Sequence, residues 1–378
     1  MPARDSHFVA SRLALASRRV EGLSGAVRLI LEEARAAAAA GWEADVYSEK
    51  LDAAAVRAVG ARPHRVPRWP WGSWFKRRAF AALAGRAASG HDVVHGHGDL
   101  LDQDLLSLHN CVHAAHEAAT GNPLPARDAT GRMHALQLSQ RRFRVLAANS
   151  RLMKDDVSRR FGVPAEMIEV VYPGFDPLRF RAGDRARHGT ALREELGLTA
   201  DQPLFGLITS GDFEKRGLTV FLRAFAVASR EAPTARALVV GKETRPGPYL
   251  KLAQELRISD KIFFRAPTPD VERLYHGLDI YVHAAKWEEF GMTVLEALAC
   301  GVPVVTGKRV GASELMKEDE FILQDMTLDS LSAAMIKLAG SPALRSRLSE
   351  AGPVAAAPYT LAAHGRAVLA LYERLRKK

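Results

Sequence analysis

Hydrophobic residues along the chain fall into short runs that alternate with longer amphipathic stretches. In the second half, short apolar runs predict β-strands at residues 204–210, 237–241, 261–265, 280–283 and 302–306. Between these runs, apolar residues recur at helical spacing and predict helices at residues 218–230, 249–256, 270–278 and 293–300. Such regular alternation of strand and helix is typical of α/β proteins with parallel sheets.

The first half shows the same alternation less regularly. The pattern predicts a helix at residues 24–40 and strands at residues 44–48, 92–97 and 145–149. Residues 172–198 are rich in glycine, proline and charge and lack an apolar period, which is typical of a connection between domains. We therefore predict two doubly wound domains, residues 1–172 and 173–357, followed by a C-terminal amphipathic helix within residues 358–378.

Composition limits the class of protein. A chain of 378 residues suits two domains of about 150–200 residues each. No apolar run approaches the ~18 residues of a membrane-spanning helix, and the charged first 20 residues do not resemble a signal peptide. Cys111 and Cys300 are the only cysteines, which argues against a disulfide framework or a cysteine metal site and makes a reducing cytoplasm the default.

The chain is strongly basic, with a formal charge of +10 and a pI near 9.7. An excess of positive charge favours anionic partners, namely nucleic acid, an anionic membrane or a phosphorylated substrate. Composition does not choose among them, and a general preference for arginine explains the charge equally well.

The stretch KWEEFGMTVLEALACGVPVVTG, residues 286–307, carries the most specific chemistry. Glu288 follows a predicted strand, Gly291 permits a tight turn, and the next helix begins near Met292, where free N–H groups suit a phosphate. Glu296 lies about one turn inside that helix. Two carboxylates on either side of a phosphate site can accept hydrogen bonds from hydroxyl groups at opposite ends of one ligand. The alternative is a buried helix that simply begins with acidic residues.

The spacing of Glu288 and Glu296, followed by ALACGVPVV, resembles the donor-site signature of the family 4 retaining glycosyltransferases, also called group 1, which have the GT-B fold. Three further stretches resemble the same family, GDFEKRGLTVFLRAFA (211–226), VVYPGFDPLRF (170–180) and FFRAPTPDVERLYHGLDIYVHAA (263–285). The resemblance is close over residues 172–311 and loose in the N-terminal half. The layout is most similar to the lipopolysaccharide core glucosyltransferase I group.

The resemblance implies two Rossmann-like domains that face a central cleft. The N-terminal domain would bind the acceptor, the C-terminal domain would bind a nucleotide-sugar, and the last helix would pack back on the first domain. Lys215 and Arg216 would stabilise the leaving diphosphate, although the family has arginine before lysine. Glu288 would hold the donor sugar and Glu296 the ribose. The other donor-binding residues implied are Gly22, Gly211, Thr268, Phe290, Gly291, Met292 and Thr293.

Six histidines lie between residues 91 and 116. Such density suggests a metal site, and the histidines that could share one face are His95 with His97, and His109 with His113 and His116. The resemblance instead implies a reaction without a metal, and it places His109 beside the reacting sugar as a neutral imidazole. Asn110 and His113 are alternatives for that position, and His97 and Asp99 are further candidates.

Residues 65–80, RVPRWPWGSWFKRRAF, combine three tryptophans with five basic residues. Tryptophan favours a lipid interface, and basic side chains attract anionic lipids. This pattern predicts a peripheral membrane patch formed by Trp69, Trp71, Trp74, Lys76, Arg77 and Arg78. The alternatives are a loop whose tryptophans fill the core, and a surface for single-stranded nucleic acid.

Taken with the resemblance, these residues predict a retaining glycosyltransferase that needs no metal or other cofactor. It would move a hexose from a nucleotide-sugar, most simply a UDP-sugar, to a glycan or glycolipid of the bacterial envelope. We expect it in the cytoplasm, with peripheral contact at the inner face of the membrane and no nucleic-acid partner. The alternatives are a sugar-nucleotide epimerase on the same fold, a sensor that binds without catalysis, and a nucleic-acid-binding protein.

Overall fold

The computed structural model describes residues 10–22, 24–209, 213–242, 247–317 and 319–376. Its strands, numbered in chain order, are Arg12–Ala16 (β1), Arg19–Val20 (β2), Glu43–Ser48 (β3), Lys50–Leu51 (β4), Arg62–Arg65 (β5), Val93–Gly96 (β6), Leu105–Ser107 (β7), Val145–Ala148 (β8), Ile168–Val170 (β9), Leu204–Ile208 (β10), Arg236–Val240 (β11), Ile262–Arg265 (β12), Ile280–His283 (β13), Val304–Gly307 (β14) and Ile322–Leu323 (β15).

The α-helices are Gly25–Ala39 (α1), Ala53–Ala58 (α2), Ser73–Ala88 (α3), Val112–Thr120 (α4), Ala129–Gln140 (α5), Arg151–Phe161 (α6), Arg185–Glu195 (α7), Leu218–Glu231 (α8), Gly247–Glu255 (α9), Val271–Gly277 (α10), Met292–Ala299 (α11), Leu328–Gly340 (α12), Pro342–Ala356 (α13) and Leu361–Leu375 (α14). Most of them connect neighbouring parallel strands, as in other doubly wound proteins.

Two parallel sheets form the frame of the molecule. The N-terminal sheet has the order β5-β3-β1-β6-β7-β8-β9, and the C-terminal sheet has the order β12-β11-β10-β13-β14-β15. In each sheet the chain first builds outward on one side and then returns to the middle to build the other side. Ligands of such sheets bind beyond the carboxyl ends of the strands where the order reverses, between β1 and β6 and between β10 and β13.

The last helix packs on the first domain, far from its sequence neighbours. Val368, Leu371 and Tyr372 of α14 are buried in the same hydrophobic core as Ile30 and Ala34 of α1. The chain returns to the first domain beside its own outgoing connection, where the backbone N–H groups of residues 175 and 361 donate to residues 359 and 175. This crossing places side chains of α14 beneath the cleft.

Two predicted loops are partly helical. Helix α7 lies inside the predicted connection, residues 172–198, because Leu192 and Leu196 bury their side chains in the core of the second domain. Helix α3 begins within the tryptophan-rich stretch and buries Phe80 and Ala84. In both helices the apolar and polar residues are only weakly separated onto opposite faces. Their sequences, which contain several arginines and glycines, therefore did not predict a helix.

Candidate functional site

A cavity of about 290 Å³ lies between the two domains. From the N-terminal domain it is lined by Ser24, Gly25, Ala26 and Arg28 at the start of α1, and by His109 and Asn149, which follow β7 and β8. The C-terminal domain contributes Thr209, Arg216, His283 and the segment 288–293. These positions follow the carboxyl ends of strands near both reversal points, as the topology requires.

The segment before α11 is built for close approach to a ligand. Gly291 has φ of +97°, and a β-carbon there would lie 3.1 Å from the Val310 side chain, so only glycine fits without strain. Helix α11 starts directly after this turn at Met292, and no side chain caps the N–H groups of its first turn. Phe290, Met292 and Thr293 line the same cavity. The turn that was predicted to bind a phosphate therefore lies at the cleft.

Glu288 and Arg216 face each other across the cavity and form an ion pair. The Glu288 backbone is held by the segment beside it, because its N–H donates to Arg309 O at 2.9 Å and its carbonyl accepts from Gly311 N at 3.0 Å. The backbone that carries the Glu288 carboxylate is thus held on both sides. Lys215, predicted to act with Arg216, lines a separate cavity with Lys286 and Trp287.

Glu296 is 2% exposed and does not line the cavity. One of its carboxylate oxygens accepts from Arg28 Nη2 at 2.8 Å, and the other accepts from the Tyr275 hydroxyl at 3.1 Å. The carboxylate that was predicted to hold the ribose is therefore covered by an arginine from the opposite domain. Arg28 could not be identified from the sequence, because nothing in the chain marks a partner 268 residues away.

Two other predicted donor residues, Gly22 and Thr268, are not at the cavity wall. Gly22 is exposed with φ of +82°, and the lining positions are Ser24 and Gly25 instead. Thr268, after β12, accepts a hydrogen bond from Asp270 N at 3.3 Å and lies outside the lining. Gly211 lies outside the described residues.

Several contacts close the cleft on the side of Glu289, which is 3% exposed. Its carboxylate accepts from Cys111 N at 2.5 Å, and its carbonyl accepts from Ser150 Oγ at 2.6 Å. Glu314 accepts from the first N–H groups of α6, Arg151 N at 3.0 Å and Leu152 N at 2.7 Å, and so caps a helix of the opposite domain. These contacts join the two domains beside the cleft.

His109 lies at the junction of the two sides of the cleft, since it lines both the donor-side cavity and an adjoining one of about 310 Å³ in the N-terminal domain. Its Nε2 is 2.9 Å from His97 Nδ1. Burial, followed by repulsion from His97, lowers the pKa of His109 to about 3, so the ring is neutral at pH 7. The sequence expectation of a neutral imidazole at residue 109 agrees with this environment. Asn110 lines only the adjoining N-terminal cavity, and His113 lines neither of the two.

A buried polar cluster lies behind His109. Glu33 Oε2 is 3.1 Å from His97 Nε2 and 3.5 Å from His95 Nδ1, and Glu33 Oε1 is 3.1 Å from His364 Nε2. Among the described residues, Glu33, His95 and His97 are the one group whose spacing could admit a metal ion. Both ring nitrogens of His95 already have partners, however, the hydroxyl groups of Tyr372 and Ser107 at 2.8 Å each. The cluster therefore suits a hydrogen-bonded network better than a cation.

The acceptor side of the cleft is basic. The adjoining cavity opens into a larger one of about 620 Å³, and the two share Arg18, Arg68 and Arg77. Arg18 pairs with Glu49 at 2.9 Å and Arg77 with Asp99 at 3.1 Å. The remaining cations of the larger cavity are Arg68, Lys76 and Arg127, and none of them forms an ion pair with a described residue. Its acid, Asp128, caps the start of α5.

The tryptophan-rich stretch is divided between a surface and this cavity. Trp69 and Trp71 are 46% and 72% exposed, so the alternative in which they fill the core is wrong. Trp74 is half-buried beneath the Arg132 guanidinium, which lies 4.0 Å from its ring centre, and Arg78 is exposed. Lys76 and Arg77, predicted to face a membrane, line the basic cavity instead.

No helix among the described residues is long and apolar enough to cross a membrane.

Relatives by sequence agree with the predicted family. Residues 23–179 match the family model Glycosyltransferase Family 4, and residues 190–354 match the model Glycosyl transferases group 1. A D-inositol 3-phosphate glycosyltransferase of Frankia alni is 29% identical and covers 91% of this chain and 92% of the relative. The enzyme of the same description from Segniliparus rotundus is 27% identical over 76% of this chain and 67% of the relative.

Solved structures agree with the fold. WaaG, a glycosyltransferase involved in lipopolysaccharide biosynthesis, has a TM-score of 0.81 at 18% identity and covers 95% of this chain and 99% of its own. Anabaena HepE in complex with UDP and glucose has a TM-score of 0.75 at 18% identity, over 96% of this chain and 100% of its own. Two parallel α/β domains around a cleft constitute the GT-B fold, and the chain is a member of the family 4, or group 1, glycosyltransferases.

Proposed function

We propose that this glycosyltransferase transfers a hexose from a UDP-sugar with retention of configuration and without a metal ion. The observation that supports it most directly is the arrangement of Arg216, Glu288 and the N-terminus of α11 around one cavity. A cation and free backbone N–H groups stabilise a leaving diphosphate, and a carboxylate accepts hydrogen bonds from sugar hydroxyls. In a metal-dependent glycosyltransferase, a bound metal ion supplies the positive charge that stabilises the diphosphate.

Glu288 and Arg216 would exchange partners when the donor binds. In the structure their charges satisfy each other. A diphosphate beside Arg216 carries more negative charge than one carboxylate, so the guanidinium would turn toward it and leave Glu288 to the sugar hydroxyls. Glu296 would exchange partners in the same way, because a ribose hydroxyl would replace Arg28 as its hydrogen-bond donor.

Retention fits the weak basicity of His109. A general base acts best when its pKa lies near the working pH. Since burial lowers the pKa of His109 to about 3, this ring is a poor proton acceptor for the incoming hydroxyl. The leaving diphosphate oxygen is then the stronger base beside the reacting carbon, and it lies on the face from which the nucleotide departs. Attack from that same face retains the configuration.

The acceptor side favours an anionic acceptor. Arg68, Lys76 and Arg127 bring uncompensated positive charge to the larger cavity, as described above. The relatives from Frankia alni and Segniliparus rotundus are named for a phosphorylated polyol, D-inositol 3-phosphate. We therefore propose an acceptor that carries a phosphate or carboxylate, either a small sugar phosphate or an anionic glycan or glycolipid of the bacterial envelope.

The proposed place of action is the cytoplasm, with the exposed Trp69, Trp71 and Phe75 meeting the inner face of the membrane when the acceptor is a glycolipid. Arg78 would add attraction to anionic lipids. Lys76 and Arg77 would serve the acceptor instead of the membrane.

Donor screening tests the proposal. The native chain would be mixed with UDP-glucose, UDP-galactose, UDP-N-acetylglucosamine or GDP-mannose in EDTA, and thermal shift and slow donor hydrolysis would be measured. We expect one UDP-sugar to stabilise the protein and to be hydrolysed despite EDTA. Arg216→Gln should abolish both effects, whereas Arg230→Gln, an exposed arginine on the following helix, should preserve them.

Three results would redirect the proposal. A donor that binds without hydrolysis or transfer to any anionic acceptor supports the sensor alternative. Conversion of the donor to a sugar epimer supports the epimerase. An NMR spectrum of the transfer product that shows an inverted anomeric centre would overturn retention.

A further inference from the structure

Four polar side chains from four separate elements form a buried chain that ends at the cleft. They are His364 on α14, Glu33 on α1, His97 after β6 and His109 after β7. The donor and acceptor arguments above use only the last of them. At each link the neighbouring atom can be classed as a donor or an acceptor, so the position of each proton can be followed from one end of the chain to the other.

The first link is His364. Its Nδ1 lies 3.0 Å from the Tyr172 carbonyl oxygen and its Nε2 lies 3.1 Å from Glu33 Oε1. A carbonyl and a carboxylate only accept hydrogen bonds, so both ring nitrogens must donate and His364 is an imidazolium beside an ionised Glu33. Pairing with Glu33 outweighs burial and raises the pKa of His364, in agreement with this assignment.

The second link is between Glu33 and His97. Glu33 Oε2 and His97 Nε2 are 3.1 Å apart, and both are buried. The contact does not meet hydrogen-bond geometry, and neither atom has a hydrogen-bond partner among the described residues, so the link is an electrostatic approach of the two atoms. An ionised carboxylate oxygen accepts, so His97 carries its proton on Nε2 and leaves Nδ1 with a lone pair.

The third link reaches the cleft. Since His97 Nδ1 can only accept, His109 Nε2, 2.9 Å away, must donate to it. His109 Nδ1 is then unprotonated. This atom has no hydrogen-bond partner among the described residues, yet it is not buried. It is therefore the ring nitrogen that is open to the cavity.

We propose that Glu33 and His97 are positioning residues that fix the tautomer and ring direction of His109. Together they present Nδ1 to the cleft as a hydrogen-bond acceptor for a hydroxyl group of the donor sugar or the acceptor. The inference deepens the proposed glycosyl transfer and rests on it for the identity of that hydroxyl. It also gives the returning helix α14 a role, because the imidazolium of His364 keeps Glu33 ionised behind the site.

The experiment reads the tautomer directly. Protein with ¹⁵N-labelled histidine, in the presence of EDTA and UDP, would be examined by long-range ¹H–¹⁵N correlation NMR, and His109 would be assigned from the signals lost in His109→Gln. We expect the native His109 to be the Nε2–H tautomer at pH 7. Glu33→Gln should change this to a mixture, and Glu32→Gln, the same change at the preceding position of α1, should not.

A second pair of variants protects the test from misfolding, because Glu33→Gln also removes the partner of His364. In His97→Asn the amide oxygen can take the place of Nδ1 and accept from His109, whereas His97→Leu offers no acceptor. We expect the Nε2–H tautomer to survive in His97→Asn and to be lost in His97→Leu. Transfer or donor hydrolysis should follow the same order, with a kcat lower by about 10-fold in the leucine variant and an unchanged KM for the donor.

The outcomes separate this inference from the proposed function. A native His109 that is protonated on Nδ1, or a folded His97→Leu protein with the native tautomer, overturns the positioning role. The native tautomer pattern and its predicted changes in a protein that turns over no sugar-nucleotide would uphold the positioning chain and overturn the proposed transfer. A tautomer change in His97→Leu with no change in kcat would also overturn the role assigned to Nδ1.

Discussion

At the residue scale, the site is held by charges that neutralise each other until a ligand arrives. Arg216 pairs with Glu288, and Arg28 pairs with Glu296 from the opposite domain. Pairing avoids the desolvation cost of an isolated buried charge, and it leaves the same groups available for a diphosphate or a hydroxyl. Binding of a donor therefore exchanges one set of partners for another.

This exchange predicts opposite effects of Glu288→Gln on binding and on turnover. Loss of the carboxylate frees Arg216 for the diphosphate, so the Kd for UDP should stay the same or fall by a factor of about 2–5, the effect of one partly exposed ion pair. Donor turnover should fall by at least about 10-fold, because a neutral amide accepts sugar hydroxyls less strongly. Calorimetric titration with UDP and a donor hydrolysis assay would measure the two effects.

Glu255→Gln is the control, since this carboxylate is exposed on a helix of the same domain away from the cavity. Weaker UDP binding in Glu288→Gln, to the same extent as the loss of turnover, would contradict the exchange of partners.

At the element scale, the turn before α11 depends on one glycine. Gly291→Ala should lower the free energy of unfolding by about 1–2 kcal/mol, because an alanine is strained at φ of +97° and its β-carbon would press on Val310. It should also weaken UDP binding by moving the first N–H groups of the helix. Gly85→Ala, in the middle of α3 with open space around it, should instead be neutral or stabilise by up to about 1 kcal/mol.

Urea unfolding with and without UDP measures both quantities. A Gly291→Ala protein with native UDP affinity would show that these N–H groups do not bind the diphosphate.

Helix α3 and the segment before it provide the second prediction at this scale. Changing Trp69, Trp71 and Phe75 to alanine should reduce binding to anionic vesicles, because exposed aromatic rings enter the lipid interface. Sedimentation with phosphatidylglycerol vesicles would measure it. Leu178→Ala and Val354→Ala, exposed apolar residues elsewhere, are the controls. Equal sedimentation of both sets of variants would show that these aromatic side chains do not bind the membrane.

Elements with a strong local pattern were predictable, and those without one were not. Strand β13 was predicted with the bounds that it has, and α1 to within one residue at each end, because each has a clear apolar pattern between strong end signals. Strand β1 was not predicted because its short RLALA run lies among charged residues, although it is a buried interior strand of its sheet. The motif located Glu288 and Arg216. It could not reveal Arg28 or Glu289's partners, since those contacts join the two domains.

At the scale of the whole molecule, buried neutral histidines link stability to pH. Burial is the main cause that lowers the pKa of His134 and His283 to about 3 and of His276 to about 4. The unfolded chain binds protons at these residues below about pH 6.5, whereas the folded chain does not, so folding becomes less favourable as the pH falls. Each residue should cost about 1 kcal/mol between pH 7 and pH 5.5.

Thermal unfolding from pH 7.5 to pH 5 would measure this dependence. His276→Asn should reduce the loss of stability between pH 7 and pH 5.5 by about 1 kcal/mol, because it removes one of the groups that bind a proton only in the unfolded chain. A melting temperature that is constant over this range would contradict the assignment of three neutral histidines.

The contacts that join the two domains also affect the reaction in the cleft. Glu314 of the second domain receives two N–H groups of α6 and the Tyr172 hydroxyl at 2.8 Å, and so ties the domains together beside the cleft. Closure excludes water, and a glycosyltransferase that closes poorly loses donor to hydrolysis. Glu314→Ala should therefore raise the ratio of donor hydrolysis to transfer, by about 3–10-fold if the lost hydrogen bonds together weaken closure by about 1 kcal/mol.

Product analysis at fixed donor concentration would give that ratio, and small-angle scattering with UDP would report a larger radius of gyration in the same variant. Glu320→Ala, an exposed acid nearby in sequence that pairs with Lys337 in its own domain, is the matched control. If Glu314→Ala left both the ratio and the radius at native values, the contact between Glu314 and α6 would not be needed for closure. Closure would then depend on the contacts of Glu289 with Cys111 and Ser150.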